Sequence, residues 1–332
     1  MNRSEAGKLL YFFLILLILL LILFVGCYFI FRKLVWRRVP KAPGKLARLL
    51  IKGGADSPEF ERDQPAAMRN LNALPLEKIA LTAKDGATLR GHLLEPAAAN
   101  DRVIIACHGM GSTGCGEFCF FAPDFYKKGY TILLPDHRGC GESDGDFMGF
   151  GTHESRDTFL WVQYAKKRYP DRHIFLLGVS MGAATVLMMS GRPGIRDVSG
   201  IIADCAYTNA WDEFSYQLKS SFHLPDFPAL YLCDMYCQMI CNYSFKQASP
   251  IDAVKKAKAP VLFIHGAEDA LVPPYMQGLL YDACASEKYS LKIEGATHAR
   301  SYYTNPELYT KAVEAFMTQT LRPKTLRIPQ YE

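Results

Sequence analysis

Gly178-Val179-Ser180-Met181-Gly182 lies between the apolar run His173 to Leu177 and the small-residue run Ala183, Ala184, Thr185, Val186. The pattern predicts a strand, a G-x-S-x-G turn and a helix start. The glycines are expected to let the chain turn too sharply for other side chains, which lifts the Ser180 hydroxyl above the strand end. The following helix aims its N-terminal amides at the same spot. Ser180 is therefore a candidate nucleophile. A serine in such a turn often only caps a helix, so the functional reading depends on what the rest of the chain supplies.

Two later strands each deliver one polar group. Val261 to Ile264 reads as a buried strand that leads into His265-Gly266-Ala267-Glu268-Asp269, with Val272-Pro273 beyond. Tyr289 to Ile293 leads into Gly295-Ala296-Thr297-His298. A serine hydroxyl is a weak nucleophile at neutral pH. It needs a neutral imidazole to take its proton and a carboxylate to hold that imidazole's tautomer and stabilise its cation. His298 and Asp269 can fill those roles. A fourth part follows the strand Val103 to Cys107, where His108-Gly109-Met110-Gly111 can bring the Met110 amide beside that of Met181, two donors for one developing negative charge.

With these pieces in order, the chain resembles the α/β-hydrolase superfamily, and within it bacterial membrane-anchored serine hydrolases of the BAAT-like and prolyl-oligopeptidase-like branches. The resemblance runs from Leu76 to about Thr320. It is carried by His108 to Gly111, Asp136-His137-Arg138-Gly139-Cys140-Gly141-Glu142-Ser143, the turn at Ser180, Asp204-Cys205-Ala206-Tyr207-Thr208, His265 to Asp269 and Gly295 to His298. It implies Ser180, Asp269 and His298 as the catalytic triad and the Met110 and Met181 amides as the oxyanion hole. Some members draw the acid from the position of Asp204; the spacing to His298 and the Val272-Pro273 context favour Asp269. Arg138 and Asp136 are expected to brace their loop as an ion pair.

The rest of the sequence fits one hydrolase domain. Of 332 residues, 49% are hydrophobic and 21% charged, ample for a single core. Apolar runs alternate with helical patterns, which predicts a mostly parallel sheet with helices on both faces. Leu76 to Leu81 and Thr88 to Leu94 flank Asp85-Gly86 as an edge hairpin. We expect an anchor at 1–35, a basic Pro/Gly-rich linker at 36–75 with too many breaks for one long helix, and the hydrolase domain at 76–322. An insertion at about 206–250, rich in aromatic and aliphatic residues, is expected to cap the site and to favour a hydrophobic acyl group.

Leu9 to Phe31 carries no charge and, as a helix, would span roughly 35 Å, enough for a bilayer core of about 30 Å. No small-residue cleavage site follows, so it reads as an uncleaved single-pass anchor in the cell membrane rather than a signal peptide. Arg32, Lys33, Arg37, Arg38, Lys41, Lys45, Arg48 and Lys52 follow it, which places the catalytic domain in the cytoplasm and favours contact with the lipid bilayer. Leu46, Leu49 and Leu50 fit a surface helix or a solvated loop equally well. The net charge of +5 is largely this stretch, and no basic-aromatic module points to nucleic acid. Ten cysteines read as thiols in a reducing space. Cys233, Cys237 and Cys241 recur every fourth residue, too far apart for disulfides among them, and without the paired cluster a metal site needs.

The sequence thus predicts a serine hydrolase that uses no cofactor or metal and cleaves an ester or thioester. The alternatives are a prolyl-oligopeptidase-like serine peptidase and a catalytically silent membrane scaffold.

Overall fold

Ile104 and Ile105, Ile174 to Leu177, Ile201 and Ile202, and Leu262 to Ile264 are continuous apolar runs buried on both sides, the pattern required of parallel strands covered by helices on each face. The computed structural model describes residues 3–36 and 57–322. The strands are β1 (Leu76–Thr82), β2 (Thr88–Leu94), β3 (Arg102–Cys107), β4 (Thr131–Pro135), β5 (His173–Val179), β6 (Val198–Asp204), β7 (Val261–Gly266) and β8 (Lys288–Ile293). They form one sheet in the order β1-β2-β4-β3-β5-β6-β7-β8. The pairs β1/β2 and β2/β4 are antiparallel, and the strands from β4 to β8 run parallel.

The principal helices are α1 (Arg3–Val35), α2 (Pro58–Asn72), α3 (Phe121–Lys127), α4 (Glu154–Arg168), α5 (Met181–Met189), α6 (Ala210–Phe222), α7 (Ala229–Cys241), α8 (Tyr275–Ala283) and α9 (Pro306–Leu321). Ile174 and Leu176 of β5 face a core layer shared with Trp161 of α4, Ala183 and Val186 of α5 and Leu280 of α8. Phe175 and Leu177 face the opposite layer, shared with Leu71 of α2, Phe125 of α3 and Val313 and Phe316 of α9. Parallel pairing of β5 with β6 and of β6 with β7 puts their C-terminal ends side by side at one edge of the domain, where ligands bind in open parallel sheets.

Two features differ from the sequence expectation. The segment assigned to a broken linker contains α2, which starts where Ser57 accepts a hydrogen bond from the Phe60 amide at 3.3 Å. Pro58 sits in its first turn, where no amide partner is lost, and Phe60, Ala67 and Leu71 are buried along its inner face. The expected Arg138–Asp136 ion pair is absent. Arg138 forks onto Asp157 of α4, with Nε to Oδ2 at 2.5 Å and Nη2 to Oδ1 at 2.8 Å, and reaches Asp85 at 2.9 Å. Asp136 instead accepts the amides of Gly114 and Glu142 at 2.8 and 2.9 Å. Its two oxygens are filled by backbone donors, which leaves the guanidinium to the buried Asp157 and the exposed Asp85.

A third cluster lies above the sheet edge. Leu230, Cys233, Tyr236, Cys237 and Cys241 of α7 pack there with Met181, Met148, Phe150 and Phe245. The last turns of α1 join them, with Cys27, Phe31 and Val35 buried. Tyr236 donates its hydroxyl to the Phe24 carbonyl at 2.9 Å, and the Met148 amide donates to the Val35 carbonyl at 2.9 Å. Before Gly26, α1 is exposed and wholly apolar from Leu9; among the described residues it is the one helix long and apolar enough to cross a membrane. None of the ten cysteines is joined in a disulfide. Six of the eight basic residues that follow Phe31 and set the expected orientation, Arg37 to Lys52, lie outside the described residues, as does the Leu46, Leu49 and Leu50 stretch.

Close packing where α5 crosses β3 sets a sharp test. A Cβ built on Gly182 would lie 1.9 Å from the Cys107 carbonyl oxygen, whereas one on Gly278 of α8 meets nothing within 4 Å. Gly182→Ala is expected to abolish or severely reduce recovery of folded protein. Gly278→Ala should raise stability by about 1 kcal/mol through helix propensity alone, read as an upward shift of the thermal midpoint.

Candidate active site

Between β5 and α5 only Ser180 belongs to neither element, and it is the strained residue, at φ +56° and ψ −119°. Its amide donates to the Asp204 carbonyl at 2.9 Å, and its carbonyl accepts from Ala184 at 2.9 Å. The flanking glycines do not take the unusual dihedrals, contrary to the expectation that they make the turn. They are needed for approach: a Cβ on Gly178 would sit 2.2 Å from the Gly182 carbonyl oxygen. The serine bears the strain and the glycines make room for it, which sets the half-buried side chain at the end of the strand.

The loop after β8 brings His298 to this hydroxyl. Its Nε2 lies 2.8 Å from Ser180 Oγ, and its Nδ1 lies 2.8 Å from Asp269 Oδ2. With Nδ1–H donating to the carboxylate, Nε2 is free to accept from the serine, the tautomer that proton abstraction requires. Asp269, at the end of the β7 turn, accepts the Leu271 and Val272 amides on Oδ1 at 3.0 and 2.9 Å. His265 Nε2, 2.8 Å from the Val272 carbonyl, also lies 3.3 Å from Asp269 Oδ2. Burial would push the Asp269 carboxyl up, but the adjacent His298 and His265 outweigh it and hold the group down at about 2. It is ionised wherever the protein is folded near neutrality.

Asp204, at the end of β6, stands beside this site and is turned elsewhere. Its Oδ1 accepts from the Ser301 hydroxyl at 2.8 Å, which ties down the segment following His298. Burial pushes its carboxyl up to about 6, with the Ser301 bond acting against the shift. Different surroundings thus separate two neighbouring acids, one fixed as an anion against His298 and one bracing the histidine loop.

The proposed oxyanion donors sit on constrained backbone. Met181 opens α5, so its amide has no partner within the helix. The loop carrying Met110 is fixed by His108, whose Nε2 accepts the His137 amide at 2.9 Å and whose Nδ1 therefore donates to the Gly109 carbonyl at 2.7 Å. Burial keeps this imidazole below its ordinary value, hence neutral. The Gly109 amide donates to Glu117 at 3.2 Å. His108, Glu117 and His265 are positioning residues whose roles the sequence did not disclose. His108 and His265 stood inside quoted motifs; Glu117 carried no signal.

Met110, Trp211 and Phe214 pack against the cluster that contains Met181, so residues of α6 and of the 108–111 loop share one apolar layer. Gln217 of α6 donates to the Leu271 carbonyl, joining the cap to the loop of Asp269. Among the described residues one group could hold a metal ion, Cys205, Asp269 and His298, whose ligand atoms lie within 4.8 Å of one another. An ion there would displace the hydrogen bond between His298 and Asp269, and burial keeps the Cys205 thiol far above its ordinary value, so the donor set suits the hydrogen-bond chain from Ser180 to Asp269 better than a metal.

The chain is similar to known hydrolases. Residues 98–225 match the family described as serine aminopeptidase, S33. An uncharacterised Bacillus subtilis protein, YqkD, is 29% identical over 70% of this chain and 76% of its own length. The monoglyceride lipase of Rattus norvegicus is 27% identical over 66% of this chain and 82% of its own. Among solved structures, the Pyrococcus furiosus esterase Pf2001 superposes with a TM-score of 0.60 at 21% identity, covering 80% of this chain and 94% of that one.

Asp269→Asn should lower turnover by about 10⁴, the scale expected when a triad histidine loses its tautomer, and Asp204→Asn should lower it far less in the same steady-state assay. The two acids also differ in their effect on stability. Asp204 titrates near 6 when folded against 3.8 for the free group, so its ionisation opposes folding. That penalty is absent below pH 4, grows as the pH rises and is complete above 6. Asp204→Asn should therefore gain stability relative to the parent between pH 4 and 7, by on the order of 1 to 3 kcal/mol, in urea melts at each pH.

Proposed function

We propose that this chain, which belongs to the α/β-hydrolase superfamily, is a membrane-anchored serine hydrolase that cleaves an ester or thioester with a hydrophobic acyl group through an acyl-enzyme. The observation that carries it is the position of His298, 2.8 Å from Ser180 on one side and 2.8 Å from Asp269 on the other. Ser180 Oγ attacks the acyl carbon as its proton passes to His298 Nε2. Asp269 stabilises the imidazolium, and the Met110 and Met181 amides receive the developing oxyanion. Collapse expels the alcohol or thiol with the proton from His298. Water then repeats the sequence against the acyl-serine, returning the free acid and the serine hydroxyl.

The apolar cluster that brings Trp211 and Phe214 together with Met110 and Met181 favours an acyl chain over a charged or sugar substituent, and similarity to a monoglyceride lipase points the same way. The exposed apolar stretch of α1 supports a single-pass anchor, and the excess of basic residues after it in the sequence favours a catalytic domain on the cytoplasmic side. A serine peptidase is the second reading, favoured by the match to the serine aminopeptidase family; comparing matched amide and ester substrates separates the two.

Ser180→Ala should abolish both fluorophosphonate labelling and ester turnover, with a loss of about 10⁶ in kcat, while the circular dichroism spectrum is retained. Parent protein offered esters and thioesters of increasing chain length should show kcat/KM rising with length. Labelling that survives in Ser180→Ala would remove the nucleophile assignment, and equal turnover of short and long chains would remove the acyl preference.

A further inference from the structure

Helices α1 and α7 run side by side in the same direction. The Cys233 thiol lies 3.6 Å from the Cys27 carbonyl. One end further on, Val35 bonds the Met148 amide at 2.9 Å and Cys241 bonds His153 at 3.2 Å, so both helices finish on the 147–153 segment. The buried positions repeat in step, Cys27, Phe31 and Val35 on α1 and Cys233, Cys237 and Cys241 on α7. Tyr236 reaches backwards to the Phe24 carbonyl, as a long helical side chain leaning toward its own N-terminus does. At about 1.5 Å per residue, the start of α7 is level with roughly Ile22, inside the exposed apolar stretch of α1.

That level is where the cap is most apolar outside. The connection between α6 and α7 and the turns beside it expose Phe222, Leu224, Phe227 and Tyr231, with Phe227 71% accessible. From this tip an aromatic tract leads inward. Phe227 packs on Tyr231 with ring centres 5.9 Å apart, Tyr231 packs on Trp211 at 4.9 Å, and Trp211 lies against the cluster that holds Met181.

We propose that the α6–α7 tip is a membrane-insertion surface, immersed in the leaflet that α1 enters, and that the substrate is an acyl ester lipid drawn from that leaflet along Phe227, Tyr231 and Trp211. This rests on the membrane-anchored hydrolase reading and adds the source of the substrate. The docking of α1 on α7 removes the freedom a tethered domain would have and holds the tip at bilayer depth. An exposed aromatic and aliphatic tip on a helical hairpin has the composition of an interfacial segment, and Lys219, exposed three residues before Phe222 and paired with Asp226 at 3.0 Å, sits where headgroups would lie.

Full-length protein is reconstituted in phosphatidylcholine vesicles containing doxyl-labelled lipid, with an NBD fluorophore on Phe227→Cys, Ile22→Cys or Lys84→Cys. Fluorescence at 227 is expected to be quenched to nearly the extent seen at 22, and fluorescence at 84, in the β1–β2 turn, to be unaffected. Quenching at 22 with none at 227 overturns the insertion while leaving the anchor intact; absence at both removes the anchor and the insertion together. In a second arm, Phe222→Asp with Leu224→Asp, both exposed on the tip and off the aromatic tract, should cut hydrolysis of a vesicle-borne long-chain ester about tenfold or more, the scale of losing buried apolar side chains. Turnover of a water-soluble short ester and fluorophosphonate labelling should stay at parental levels. An unchanged vesicle rate, or an equal fall in both rates, overturns the proposal.

Discussion

Ser180 is held at φ +56° and ψ −119°, a backbone state that costs a non-glycine residue on the order of 1 to 3 kcal/mol. Its neighbours over-determine it. The amide is bonded to the end of β6 and the carbonyl to the first turn of α5, and both flanking elements are buried in the two main core layers. Gly178 and Gly182 lack the side chains that would push strand and helix apart. The site follows from this one strained residue: with β5 ending there, the adjacent β6 and β7 end beside it, and the loops of Asp204, Asp269 and His298 converge on the same edge.

Environment then assigns work to like groups. Asp269 has two backbone amides on one oxygen and an imidazole on the other, an arrangement that stabilises the anion more than burial opposes it. Asp204, with a hydroxyl as its partner, carries the burial penalty and acts on the histidine loop through Ser301. The same logic fixes His108, whose acceptor role toward the His137 amide determines the tautomer that clamps Gly109.

The central strands were legible because burial on both faces leaves an unbroken apolar run, and the serine, acid and histidine because each ends such a run. What escaped involved partners that local pattern does not show. Arg138 has its carboxylate on a helix nineteen residues later, which proximity to Asp136 obscured. Helix α2 carries Pro58 and Pro65, and among so many breaks its buried face of Phe60, Ala67 and Leu71 did not stand out. In α1 the docking residues Cys27, Phe31 and Val35 are hidden because that helix is apolar all round, so no face is marked by contrast. The glycines of the turn were noticed for conformational freedom, whereas the structure uses their lack of a side chain.

The covalent intermediate on Ser180 is the most direct consequence of this chemistry. Full-length protein mixed with a slowly deacylating long-chain ester, quenched in acid and digested, can be mapped by tandem mass spectrometry. An acyl group on Ser180, formed as a burst equal to the enzyme concentration and lost when His298 is replaced by alanine, is the predicted result. Turnover with no acyl adduct, or an adduct on any other residue, would contradict it.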